Sequence, residues 1–317
     1  MKRRRRFYNG IINHVYQRTV GGVHLFYTIE DCLVFLSILS VCVRSSNVRV
    51  LELCLMHNHF HMLIIADSFE ELSSFMQRLT SWYAISYNSE HGRKGRLFKK
   101  NFGSAPKWDG KKQRSAVIYV GNNPVEKGFC RYAEESKWNF LAYAKSDHPF
   151  SEPIMSTKSS QNLKLCIKIV DNVIGMNLPL RYSMLSYFRK KLNDKEYNQL
   201  ADHIIAGYCP FDYENLISMF KSFEEMILAM HSTTGDEFEI KEERDDFSLI
   251  SFNEMMGYMR GHYSEEFISK MISLPFEDKF QIASELRDHT CASSHQICKF
   301  LHIPIEKKGA RKMQPKH

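Results

Sequence analysis

In the run Leu55-Met56-His57-Asn58-His59-Phe60-His61-Met62-Leu63-Ile64-Ile65, two histidines flank one bulky apolar residue inside a stretch that otherwise reads as a buried strand. Side chains alternate faces along a strand, so His59 and His61 point the same way, about 7 Å apart. Two imidazoles so placed can grip one divalent metal ion. A buried strand does not accept two polar rings without partners, and a metal is one way to satisfy them. Two core histidines hydrogen-bonded to backbone are the alternative. With 14 His in 317 residues, chance supplies about 0.6 His-x-His pair, so the pattern decides nothing without its neighbours.

A second candidate is Tyr119, in Ala116-Val117-Ile118-Tyr119-Val120-Gly121-Asn122-Asn123-Pro124. On a helix Tyr119 and Asn123 are four apart and share a face, so a phenol and an amide oxygen can approach the same ion. A phenol with a pKa near 10 is a poor nucleophile unless activated. A phosphate whose oxygens lie on a divalent cation is a better electrophile. Attack by Tyr119 would give a phosphotyrosine ester that conserves the bond energy for later rejoining.

The elements that must position these groups follow from periodicity. Ile11 to Val20 alternates (Ile12, His14, Tyr16, Arg18, Val20 against Asn13, Val15, Gln17) and predicts a strand; residues 30–45 predict a helix with a broad apolar face. Val48 to Met56 and His59 to Ala66 predict two strands joined by a tight turn at His57-Asn58. Ser68 with Glu71 predicts a capping box opening a helix that runs to about Ser89. Ser115 to Asn122 predicts a short helix ended by Asn123-Pro124. The order β-α-β-β-α fits an α+β sandwich, an antiparallel sheet with helices packed on it.

Beyond it, 146–162 are rich in Ser and Pro and read as a linker between a first domain, 1–145, and a mostly α-helical extension, 163–317. Leu163–Val173 and Glu214–Met230 predict helices there, interrupted by an acidic stretch from Thr233 to Asp246. Phe280 to Arg287 and Ser293 to Pro304 suggest a helix-turn-helix near 280–313. Cys291, His295, Cys298 and His302 fall on one helical face, for which burial is a better reading than zinc.

Charge is uneven. Residues 1–150 hold 22 Lys and Arg against 12 Asp and Glu, a net of +10, and the remainder 21 against 24, a net of −3. A basic half of this size points to a polyanion, nucleic acid first. Arg93, Lys94, Arg96, Lys99 and Lys100, interleaved with Phe98 and Phe102, can neutralise phosphates, with a ring for stacking on a base. Arg3, Arg4, Arg5 and Arg6 can act as an arm on the same partner. Eight cysteines without a CxxC pair argue against a zinc ribbon or a disulfide scaffold. The best apolar run, Cys32 to Val43, is about 12 residues, too short to span a bilayer. No signal-peptide core follows the basic N-terminus. A cytoplasmic protein is the expectation.

Taken together, His59-Phe60-His61 after an apolar strand, the Gly95-Arg96-Leu97-Phe98 segment and Tyr119-Val120-Gly121-Asn122-Asn123-Pro124-Val125 resemble the IS200-like single-tyrosine transposases of the HUH superfamily, above all their REP-associated branch. Trp138-Asn139-Phe140-Leu141-Ala142-Tyr143 resembles the segment that closes that family's domain. The resemblance covers residues 8–145. It implies a ferredoxin-like sandwich and cleavage of single-stranded or hairpin DNA through a 5′-phosphotyrosine and a free 3′-hydroxyl. It further implies Tyr119 as nucleophile and His59, His61 and Asn123 as ligands of Mg²⁺ or Mn²⁺. His57 departs from the family, which has proline there; it is a rival third ligand or a turn residue. Tyr83 and Tyr87, four apart on one helix, are a rival nucleophile pair or core. A DNA-binding protein that keeps the fold without catalysis is the alternative function. Monomer and homodimer both stay open.

Overall fold

The computed structural model describes residues 7–155, 157, 159–233 and 247–305. Four strands, β1 (Asn13–Arg18), β2 (Arg49–Met56), β3 (His59–Ile65) and β4 (Gly103–Pro106), form one sheet in the order β2-β3-β1-β4. Every pairing is antiparallel. Helix α1 (Ile29–Arg44) connects β1 to β2, and α2 (Phe69–Glu90) connects β3 to β4. Helix α3 (Gly110–Glu126) follows β4. This is the α+β antiparallel sandwich expected from the sequence, with a ferredoxin-like strand order. It continues into a helical region: α4 (Gln161–Gly175), α5 (Tyr182–Lys191), α6 (Asp194–Tyr208), α7 (Tyr213–Ser218), α8 (Phe223–His231), α9 (Leu249–His262), α10 (Glu265–Lys270), α11 (Phe276–His289) and α12 (Ser294–Phe300).

Strand β3 divides the core in two. Phe60, Met62 and Ile64 point toward α1 and α2, where they join Leu33, Phe35, Leu36, Leu79 and Tyr83. Leu63 points the other way, toward α3, with Cys54 and Met56 of β2 and Val117, Tyr119 and Val120 of the helix. His59 and His61 have the parity of Leu63 and lie on the α3 side.

Four local features differ from the sequence expectation. Strand β4 was not foreseen: Gly103-Ser104-Ala105-Pro106 has neither alternation nor bulk. It pairs because Gly103 faces Tyr16 across the register; a Cβ at Gly103 would fall 2.1 Å from the Tyr16 ring. Helix α3 runs through Pro124 to Glu126 and does not stop at Asn122. Proline lacks the N–H that would bond Val120, yet the last turn is closed by Lys127 N–H donating to Asn123 O at 3.3 Å. The predicted helix over 214–230 is two helices, α7 and α8, broken at 219–222, where Ser222 caps the second by accepting from Glu225 N–H. At Ser68 only half of the capping box forms: its hydroxyl accepts from Glu71 N–H, while the Glu71 carboxylate reaches Asn47 and Asp67 N–H.

The helical region packs on the α1/α2 layer through a shared apolar core and also bonds an ion pair buried in that layer. Asp31 of α1 is fully buried and accepts from His91 Nε2 at 2.9 Å and from the Tyr182 hydroxyl at 2.8 Å. The other His91 nitrogen donates to Ser269 O at 2.6 Å. Burial alone would raise the Asp31 carboxyl, but the His91 imidazolium outweighs it and holds the pKa below the ordinary carboxylate value. Burial would lower His91; the Asp31 carboxylate overrides that and raises it. With both ring nitrogens donating, the imidazolium is the matching form.

Candidate active site on the α3 face of the sheet

Histidines 59 and 61 stand side by side on β3 with ring centroids 4.8 Å apart and planes at 84°. Each is held through Nδ1. His59 Nδ1 lies 2.6 Å from Asn58 Oδ1, in the turn that begins the strand. His61 Nδ1 lies 2.9 Å from Nε2 of His14 on β1. A ring nitrogen that donates to a neighbour fixes the tautomer and puts the coordinating lone pair on the other nitrogen. For His59, therefore, Nε2 is the atom on which a cation would sit, and the same holds for His61 in the tautomer whose Nδ1 donates to His14 Nε2.

Helix α3 brings Tyr119 to the same side of the sheet. Its ring is edge-on to His61, centroids 5.6 Å apart at 87°, and equally close to His14. Asn123 follows one turn later and is buried; its Nδ2 donates to Tyr119 O at 3.2 Å, so Oδ1 is the end of the amide available as a metal donor. The sequence reading thus places His59, His61 and Tyr119 together, with Asn123 one turn along the tyrosine's helix. The centre is closed: His59 and His61 are 0% exposed and Tyr119 3%. Among the described residues no group of three or more His, Cys, Asp or Glu side chains is arranged for a metal. The two-imidazole, one-amide set lies outside that definition; it supplies two nitrogens and one oxygen, which leaves positions on a divalent cation for waters or phosphate oxygens.

His57 occupies the β2–β3 turn, where its carbonyl accepts from Leu25 N–H and its ring stacks on Phe247 at 3.6 Å. It lies 6.1 Å from the His59 ring. Tyr83 and Tyr87 lie on the opposite side of the sheet in the α1/α2 core, both 0% exposed; the Tyr83 hydroxyl donates to Asp31 O. They are core residues. Cys291 and His302 fall outside α12, so the four-residue face suspected of binding zinc does not exist as one helical surface.

The basic segment is anchored to the end of β1 by main-chain bonds, Val20 N–H to Leu97 O and Lys99 N–H to Arg18 O, both 2.9 Å. Leu97, Phe98 and Phe102 turn inward, while Lys94, Arg96, Lys99 and Lys100 turn outward. Phe98 packs edge-on to Phe60 and Phe102 near Phe69, so neither ring is offered for stacking on its open face. Arg93 organises the loop: its guanidinium donates to Asn88 Oδ1, Gly95 O, Arg96 O and His302 Nδ1. Arg3, Arg4, Arg5 and Arg6 and most of the suspected recognition helix, 306–313, lie outside the described residues.

Three residues around this centre were not singled out as site residues from sequence. His14 and Arg18 lie on the side of the sheet that carries the paired imidazoles, with Arg18 directly across from His59 in the register; the alternation His14, Tyr16, Arg18 was itself the available signal. Glu52 is buried on β2, with neither carboxylate oxygen hydrogen-bonded, and burial holds its pKa well above the ordinary value. Alternation with Cys54 and Met56 puts it on the α3 side, and the register shift between Val50 and Glu52 returns Val50 to the other core. There Gly121 makes room: a Cβ would fall 2.6 Å from Met230 Cε and 3.2 Å from Glu52 Oε1.

Fold and site together describe an antiparallel sandwich carrying paired imidazoles on a central strand and a phenol on a facing helix. Residues 24–123 match the family model for "Transposase IS200 like", a stretch that holds both histidines, Tyr119 and Asn123. That third of the chain is similar to the IS200-like transposases, as the motifs indicated. A solved structure of a REP-associated tyrosine transposase bound to a REP hairpin is similar at 17% identity and a TM-score of 0.37, covering 44% of this chain and 81% of that one. No curated protein matches the sequence. Among the described residues no helix is long and apolar enough to cross a membrane.

Proposed function

We propose that the chain cuts and rejoins single-stranded or hairpin DNA through a covalent tyrosyl intermediate, with Tyr119 as nucleophile. The observation that carries this reading is the edge-on placement of the Tyr119 ring 5.6 Å from His61, on the face that carries His59. His59 and His61, through Nε2, and Asn123, through Oδ1, would hold the cation, Mg²⁺ or Mn²⁺. A divalent cation bound there would polarise a phosphate oxygen and make the phosphorus a better electrophile. The Tyr119 oxygen attacks phosphorus, the Tyr–O–P bond forms and the P–O3′ bond breaks. The phenol's proton passes to solvent while the leaving 3′ oxygen takes one up. A new 3′-hydroxyl can reverse the step without ATP. Arg18, opposite His59, and the outward cations of the 94–100 segment are placed to meet phosphates. The side chains that cover Tyr119 have to move for a phosphate to reach it.

That closure favours a second reading, a DNA-binding protein that keeps the fold without the chemistry. Incubation with Mn²⁺ and labelled single-stranded hairpin DNA, followed by a denaturing gel, separates the two. Catalysis gives a protein–DNA adduct that Tyr119→Phe abolishes while DNA binding stays within about twofold. Binding with no adduct from the unaltered chain supports the second reading, and cut DNA with no protein attached points to a water nucleophile.

A further inference from the structure

The other side of the sheet carries a groove, bordered by three of the outward cations of the 94–100 segment, that the tyrosine chemistry itself does not use. It lies between α2 and the 95–102 segment, and its volume is about 650 Å³, within the range of small-ligand sites. Gln17 of β1 lies in its floor with Met76 and Phe98. Gln17 has the opposite parity to Tyr16, so the groove and the catalytic face are one residue apart on the same strand, on opposite sides.

The walls differ in chemistry. On α2, Ser73, Gln77 and Ser81 form a polar stripe at helical spacing, and none of their side chains is hydrogen-bonded among the described residues. On the loop stand Arg96, Lys99 and Lys100, all exposed. No Asp or Glu lines the groove, and neither Arg96 nor Lys100 is ion-paired among the described residues. A row of uncommitted amide and hydroxyl groups facing a row of cations over an apolar floor suits a ligand with polar base edges, flat apolar faces and a phosphate backbone. Duplex DNA, whose base edges lie at the bottom of its own grooves, cannot present them to a cavity of this kind.

We propose that this groove binds unpaired nucleotides of a single strand, Gln77 and Ser81 contacting base edges and Arg96 and Lys100 the phosphates. This deepens the DNA reading and rests on it for the class of ligand, but not on the role of Tyr119. The strand would then reach the catalytic face by passing around β4, the four-residue edge strand.

The test uses the full chain and fluorescence anisotropy with a labelled 20-nucleotide single strand of mixed sequence, with a matched duplex as competitor. Gln77→Glu with Ser81→Glu, both at exposed helix positions, should weaken binding at least about tenfold. Lys168→Glu, an exposed charge reversal on α4, should leave it within twofold. Arg96→Ala with Lys100→Ala should flatten the plot of log affinity against log salt by about 1.4, two single-strand phosphate contacts at about 0.7 each. Unchanged affinity in both double variants, at unchanged melting temperature, overturns the proposal, as does a duplex that competes as well as the single strand. If the unaltered chain gives no covalent adduct but the variants still lose binding, the groove stands and the tyrosine chemistry falls.

Discussion

The two faces of the sheet are built from alternate residues of the same strand and behave differently. Toward α1 and α2, β3 offers Phe60, Met62 and Ile64 to a layer of Leu, Phe and Tyr. The ion pair buried there is fully bonded, Asp31 by His91, Tyr182 and two backbone N–H groups, and Tyr83 donates to a carbonyl, while the hydroxyls of Ser40 and Tyr87 have no hydrogen bond among the described residues. Toward α3, the same strand offers His59 and His61, which meet His14, Tyr119 and, further along β2, a carboxylic acid with no hydrogen bond. Burial is equal on the two sides, so burial does not distinguish a site from a core. What distinguishes them is whether the polar groups are there to hold the fold. On the α1/α2 side removing one should unfold the chain; on the α3 side it should remove an activity.

The largest effect tests that contrast on adjacent residues. Phe60→Ala should destabilise the chain by about 3–5 kcal/mol, the range for truncating a buried aromatic. His59→Ala with His61→Ala should leave a cooperative urea transition and DNA binding while eliminating both the adduct and Mn²⁺ binding measured by calorimetry. If the double histidine variant unfolds as readily as Phe60→Ala, the imidazoles are structural and the contrast collapses.

Much of this division was legible in the sequence, for a physical reason. A period of two assigns His59, Phe60 and His61 to faces without any tertiary information, and the i, i+4 relation does the same for Tyr119 and Asn123. What stayed hidden depends on contacts distant in sequence. Strand β4 exists because Gly103 accommodates the Tyr16 ring. Val50 faces the α1/α2 core because the register shifts at Leu51, and one extra residue reverses the parity that Glu52, Cys54 and Met56 share. Arg93 looked like its neighbours in a basic run, yet its guanidinium is committed to Asn88 and His302, the latter 209 residues away. His14 was legible but passed over, because a single histidine in an alternating strand carries no chemistry until His61 is seen beside it.

The ion pair on the α1/α2 side should dominate stability against pH. His91→Ala strands the Asp31 charge and should cost about 3–5 kcal/mol, as breaking buried pairs does. His91 has a raised pKa in the folded chain, so its contribution is complete below the unfolded value near 6.5 and is lost as pH rises through the folded value. Asp31 has a lowered one, so its contribution is present above the ordinary carboxylate value and disappears as pH falls through the folded value. The melting temperature should therefore fall as pH rises above about 6.5, and His91→Gln should make that fall shallower. A melting profile flat from pH 6 to 9 in the unaltered chain would contradict it.

On the α3 side the corresponding change is functional and smaller. His14→Ala removes the partner of His61 Nδ1 and frees the ring to turn or to change tautomer. Partners of this kind are worth about 10–100-fold in metal affinity. Calorimetric titration with Mn²⁺ should show that loss with a melting temperature close to that of the unaltered chain. Unchanged affinity would mean that His61 is oriented without His14.

Glu52 sharpens the comparison most finely, because among the described residues it is the one acid on the α3 face with no hydrogen bond. Burial beside Gly121, Met230 and Tyr213 keeps its proton on in the folded chain. An unfolded chain releases that proton above about pH 4.3. Each further pH unit, up to the folded value, therefore removes about 1.4 kcal/mol of stability. Glu52→Gln keeps the shape and deletes the titration, so its advantage over the unaltered chain should grow from pH 5 to pH 6, below the range where His91 contributes a slope. Urea midpoints at those two pH values measure it. Equal midpoints at both would mean that the acid is charged in the folded chain. A charged Glu52 would need a cation beside it, and the α3 face would then be polar well beyond the two imidazoles.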